Sequence, residues 1–149
     1  MSIRDKISDE IKTAMKAKDK ERLATLRLIK NEIMKVETGK GAGEVDEQGF
    51  VKVLMSMKKQ RLDSIQQYEA GGRQELADRE RAEIDVLESF LPKSLSDVEL
   101  NDLVRAVLAD LGISEMREMG KAIKEVMARA AGGADGGRIS GAVKAALSS

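Results

Sequence analysis

Residues 90–99 read Phe90-Leu91-Pro92-Lys93-Ser94-Leu95-Ser96-Asp97-Val98-Glu99, and they divide the chain. Pro92 has no amide hydrogen, and its ring biases Leu91 away from helical angles, so a helix must stop near Leu91. Shortly after, Ser96 and Glu99 form a capping box, in which each side chain satisfies an amide left free at a helix start. A stop and a start this close predict a boundary at 92–95, with residues 1–91 and 92–149 as separate helical domains.

Working back from that boundary, the spacing predicts four helices. Ile3, Ile7, Ile11 and Met15 recur every four residues, giving one apolar stripe with Ser2 as its cap. Asp19 caps a second stripe of Leu23, Leu26, Ile29, Ile33 and Val36. Gly39-Lys40-Gly41-Ala42-Gly43 breaks the pattern as a flexible linker; it lacks the preceding strand that a phosphate-binding loop needs. A third helix from Asp46 carries Phe50, Leu54, Met57, Ile65 and Tyr68 and stops at Gly71-Gly72. The fourth, from Gln74 to Leu91, turns Leu76, Ile84, Leu87 and Leu91 inward and forms a long hairpin with the third.

Beyond the boundary three stripes follow: Leu100–Leu108 ending at Gly112, then Met116, Met119, Ile123 and Met127, then Ile139, Val143 and Leu147. Ala131-Gly132-Gly133-Ala134-Asp135-Gly136-Gly137 is too rich in glycine for a helix interior and is expected as a loop. The fold class is therefore all-α, a four-helix N-terminal domain followed by a small three-helix C-terminal domain.

Composition agrees and excludes much chemistry. One Pro and no Trp among 149 residues argue against an all-β chain. With no Cys and no His there is no disulfide scaffold, no thiolate nucleophile and no catalytic triad, so no catalytic residue, metal site or cofactor is expected. No apolar run spans a bilayer, and the charged opening residues show no signal peptide, so the expectation is a cytoplasmic protein with no membrane partner.

Charge balances overall but not locally. Residues 1–36 hold ten basic side chains against six acidic, residues 69–110 hold five against eleven, and residues 116–149 hold six against three. Glu80, Glu83 and Glu88 could bind a hard cation, but flanking arginines make an ion-paired surface the simpler reading. Glu80, between Leu76 and Ile84, is expected to contact Arg61, which interrupts the Met57–Ile65 stripe, or to share partners with it across the hairpin. Met116, Met119 and Met127 are expected in the core. Lys121, Lys124, Arg129, Arg138 and Lys144 surround the glycine-rich loop, where a helix start offers free amides to a phosphate. All three aromatic residues precede Pro92, so RNA recognition in the C-terminal part must go through backbone and shape rather than base stacking.

Lys59-Gln60-Arg61-Leu62-Asp63-Ser64-Ile65, Tyr68, Gly72-Arg73-Gln74-Glu75-Leu76-Ala77, Glu80, Glu83-Ile84 and Phe90-Leu91-Pro92 resemble the signature of the YqeY proteins. Met119-Gly120-Lys121, Met127 and Ala134-Asp135-Gly136 fit the same pattern. The resemblance implies structural roles for Arg61, Asp63, Arg73, Glu80, Glu83 and Pro92, and a signature loop at Gly120, Asp135 and Gly136. It also implies a C-terminal domain similar to the tail of the GatB subunit of glutamine-dependent aspartyl/glutamyl-tRNA amidotransferase. In that enzyme the tail grips tRNA and other domains carry the chemistry. Relatives commonly have Lys-Gly-Arg where this chain has Ala131-Gly132-Gly133, and often a Lys where it has Gly137, so two or three phosphate contacts are absent here.

The resulting expectation is a non-catalytic RNA-binding accessory module. Its expected partners are tRNA and an aminoacylation or amidation enzyme. An alternative is a protein–protein adaptor using the acidic face around Glu75–Asp102. A third, by family similarity alone, is a carbon–nitrogen ligase with glutamine as amido donor.

Overall fold

The computed structural model describes residues 2–39 and 43–148. Among them the chain is all-helical, with seven α-helices, one 3₁₀ turn and no strand. Two compact units form, Met1–Leu91 and Pro92–Ser149. The linker expected at 39–43 falls largely on residues 40–42, outside the described residues.

In the first unit, α1 (Ile3–Ala17) is capped by Ser2, whose hydroxyl accepts the Asp5 amide at 3.1 Å. It ends at Lys18, a non-glycine residue in the left-handed region at φ 58°, and the chain turns at once into α2 (Lys20–Glu37) under the Asp19 cap. The α3 helix (Glu47–Ala70) starts at the Asp46 cap. It stops in a Schellman turn, with the Arg73 amide on the Tyr68 carbonyl at 2.7 Å and Gly72 at φ 72°. Helix α4 (Gln74–Glu88) then packs back along α3. The predicted helix to Leu91 is thus three residues shorter. Phe90 and Leu91 bond to carbonyls three residues back, the tightened geometry of a chain approaching proline.

The core of this unit joins Ile3 and Ile7 to Leu26, Ile29, Ile33, Phe50, Leu54, Met57 and Leu87. Phe90 meets Phe50 edge-on at 6.0 Å, and the Arg22 guanidinium lies 5.5 Å from the Phe90 ring centre. Ile65 and Ile84, with Ala77 and Tyr68, form a second, smaller cluster, Leu76 joins neither, and two residues of the α1 and α2 stripes also stay outside. Met15 and Val36 sit exposed near helix ends, and Ala14 takes the buried place on α1. On α1 a strict four-residue repeat drifts around a helix of 3.6 residues per turn, so Met15, its last member, leaves the core.

The second unit contains α5 (Asp97–Leu111), the 3₁₀ turn Met116–Glu118, α6 (Met119–Ala130) and α7 (Gly136–Ser148). Both halves of the Ser96–Glu99 capping box are formed. Gly112, at φ 64°, ends α5. Leu100, Val104, Val107, Ala122, Val126, Ile139 and Val143 fill the core. The methionine expectation is corrected here. Met116 is exposed in the 3₁₀ turn, and on α6 Met127 is exposed and Met119 only half-buried, because Ala122, Val126 and Ala130 hold the inward face. The glycine-rich loop is also shorter than expected. Gly136 and Gly137 already belong to the first turn of α7, with Asp135 taking the capping position.

Candidate nucleic-acid interface

The cations expected to face a phosphate separate into two groups. Arg129 and Arg138 are committed inside the protein. On α6, the Arg129 guanidinium binds Glu125 one turn back at 3.0 Å and Asp110 of α5 at 2.8 Å. The Asp110 bond, then the Glu125 bond, push its pKa up and hold it charged. At the start of α7, Arg138 donates to the Leu95 carbonyl at 2.9 Å and to Asp97 at 3.0 Å, with Ser94 Oγ at 3.5 Å. Neither is a free phosphate contact. The free amides expected at this helix start are also partly taken, since Asp135 Oδ1 accepts the Arg138 amide at 2.8 Å.

Lys121, Lys124 and Lys144 are different. All three are exposed, and among the described residues none makes an ion pair. Lys121 and Lys124 lie three residues apart on the outward face of α6, opposite Ala122 and Val126. Gly120 sits one residue before them, where an added Cβ would meet open space. The loop that follows α6 is held by geometry. Ala131 and Gly132 take positive φ, and a Cβ on Gly133 would lie 2.9 Å from Leu95 Cγ. Sequence reasoning missed this contact and the Leu95 carbonyl bound by Arg138; neither leaves a local signal.

In the first unit, Arg61 takes Glu83 rather than Glu80 as its hydrogen-bonded partner, at 3.1 Å, and also donates to the Met57 carbonyl at 3.2 Å. The expected Arg61–Glu80 pair is therefore corrected by one helical turn. Glu80 remains half-buried, and burial first, then the Glu83 charge, push its carboxyl pKa up against the pull of Arg61. Arg73 bonds Glu75 at 2.9 Å at the exposed head of α4, which lowers the Glu75 carboxyl. Asp63 is exposed on α3, and Pro92 opens the second unit.

The acidic middle of the sequence is largely used up internally. Glu75, Asp78, Glu83, Glu88, Asp97 and Asp102 each pair with a cation, and Glu99 serves the capping box. Glu80 and Asp85 of this stretch make no ion pair among the described residues.

An all-helical protein of two compact units, most of its arginines in ion pairs and a set of lysines left outward, is the class that fold and charge define. A family model described as Yqey-like protein matches residues 4–147, and the chain belongs to that family. It is 32% identical over 112 residues to "Altered inheritance of mitochondria protein 41, mitochondrial" of Kluyveromyces lactis, covering 73% of this chain and 60% of the relative. The protein of that name from Lachancea thermotolerans is 28% identical, over 70% of this chain and 57% of its own length. That from Pyrenophora tritici-repentis is 26% identical, over 84% and 71%. The match thus spans about three fifths of the length of the first two relatives. All three are named as mitochondrial, which overturns the cytoplasmic expectation drawn from composition.

Proposed function

We propose that the protein is an RNA-binding accessory module that holds tRNA by its phosphates, presents it to an amidation or aminoacylation enzyme, and performs no catalysis itself. The observation that supports this reading is the unpaired set Lys121, Lys124 and Lys144, left outward in a protein that pairs most of its arginines. Lysine suits such a role as a flexible point charge that needs no fixed partner geometry. The adaptor reading is weaker, because most of the carboxylates that would dock a basic partner are already paired at home. We further propose that the two units are separate domains, each folding around its own core.

The test is a titration of the full chain with total tRNA at two salt concentrations, repeated with Lys121→Glu/Lys124→Glu. Wild type is expected to bind at low salt. The double variant should bind more weakly, with a plot of log K against log salt shallower by about 1.5 to 2. Wild type that binds no tRNA at low salt would overturn the reading.

A further inference from the structure

Nine of the eleven arginines, all of them within the described residues, pair with a carboxylate; Arg27 is one of the two that do not. It belongs to a larger unpaired set. Lys12, Lys16, Lys18, Lys20, Arg27 and Lys30 all lie on α1, its turn and α2, and among the described residues none makes an ion pair. Residues 11–31 hold seven basic side chains against two acidic ones. One of those acids, Asp19, is spent on capping α2 through the Arg22 amide. Arg22 itself is bound to Glu10 at 3.3 Å. Among the described residues these six cations make no direct ion pair, and only Lys20 lines a groove with carboxylates, those of Glu21, Glu75, Asp78 and Glu83.

Helix geometry gathers them. Lys12 and Lys16 are one turn apart, roughly 6 Å, on the face of α1 opposite Ile7 and Ala14. Lys20 and Arg27 are two turns apart, about 10 Å, on the face of α2 opposite Leu26, Ile29 and Ile33. Lys18 stands at the tight turn between the helices. All of these are exposed except Lys30, which is half-buried. The result is a cationic ridge of Lys12, Lys16, Lys18, Lys20 and Arg27 that runs from the α1–α2 turn along the outer faces of both helices, with Lys30 at its edge.

We infer that this ridge is a second phosphate-binding surface, and that its occupant is the backbone of a folded RNA; the inference rests on the RNA reading above. A ridge of point charges binds a phosphate chain without aromatic residues, and α1 and α2 carry none. A membrane surface fits less well. Interfacial helices insert an apolar face, and here the apolar stripes of both helices are buried in the core, leaving only single exposed residues such as Met15 and Leu28.

The test uses the full chain and total tRNA, with Lys12→Gln/Lys16→Gln/Lys20→Gln/Arg27→Gln beside Lys121→Glu/Lys124→Glu. Circular dichroism and Tm serve as fold controls. The ridge variant should bind about tenfold or more weakly at about 50 mM salt, with the salt slope shallower by about 3. Arg27→Gln alone, a single exposed change, should make it shallower by about 1. If wild type binds tRNA and both ridge variants bind as tightly, with unchanged slope, the ridge inference fails while the RNA reading stands. If wild type binds no tRNA, both fail. Vesicles of phosphatidylcholine with phosphatidylglycerol form the third arm. Loss of vesicle binding in the ridge variant with tRNA binding intact would overturn the inference in favour of a membrane.

Discussion

Arg138 and Leu95 are joined through the main chain: the guanidinium donates to the Leu95 carbonyl at 2.9 Å, while the Leu95 amide donates to the Gly133 carbonyl at 2.7 Å. Both backbone groups of the residue before the α5 cap are thus bound by the loop before α7 and by its first turn. Arg138 fastens the second unit, and its charge is spent there. Arg138→Ala should lower the unfolding free energy by about 1–2 kcal/mol, most of it from the carbonyl bond, since Asp97 is exposed. Arg138→Lys should recover only part, because one ammonium cannot reproduce the planar fork. Urea denaturation checks both.

Gly133 and Gly141 should respond to alanine in opposite directions. A Cβ at 133 meets Leu95 Cγ at 2.9 Å and the Ala130 and Lys93 carbonyls at 3.1 and 3.3 Å, so Gly133→Ala should cost about 1–3 kcal/mol. Gly141 lies inside α7 facing open space, and Gly141→Ala should stabilise by about 0.5–1 kcal/mol. Thermal melts of the two variants settle the comparison.

Across the α3–α4 hairpin, Arg61→Ala removes bonds to Glu83 and to the Met57 carbonyl and leaves a partly buried carboxylate. The expected loss is about 1–3 kcal/mol. Glu80→Gln should do the reverse at neutral pH. Its carboxyl pKa is raised in the folded protein, so the native state binds the proton more tightly and stability falls as pH rises through that window. The Tm gain of Glu80→Gln should therefore shrink as pH falls through the carboxylate range; a gain independent of pH would contradict this account.

The capping box at the head of α5 titrates the other way. Glu99 accepts the Ser96 amide, and that bond, then the Ser96 hydroxyl, lower its pKa. The stabilisation is present above the unfolded carboxylate range and is lost as pH falls through the lower, folded value. Ser96→Ala, which removes the hydroxyl that accepts the Glu99 amide, should cost about 1 kcal/mol. Its effect on Tm should be accompanied by a rise in the Glu99 pKa, measurable by carboxyl NMR titration.

Helix starts and stops were legible in the sequence because their causes lie within three or four residues. Ser2, Asp19, Asp46 and Ser96 each cap a neighbouring amide, and Gly72 and Gly112 supply the left-handed angles that end α3 and α5. The family signature was legible too, and residues 4–147 bear it out. The tertiary structure alone decided partners. Arg61 could reach Glu80 or Glu83 by spacing, and the crossing of α3 and α4 chose Glu83. The sequence offered Arg129 and Arg138 as phosphate ligands, and the folded chain brought Asp110 and the Leu95 carbonyl to them from 19 and 43 residues away. Met116 and Met127 were apolar at helical spacing, yet Ala122 and Val126 took the core, because the face of α6 that meets α5 and α7 was set by packing. Local hydrogen bonds are encoded by neighbours in the chain; which charge is neutralised and which is left to water depends on groups that only packing brings within reach.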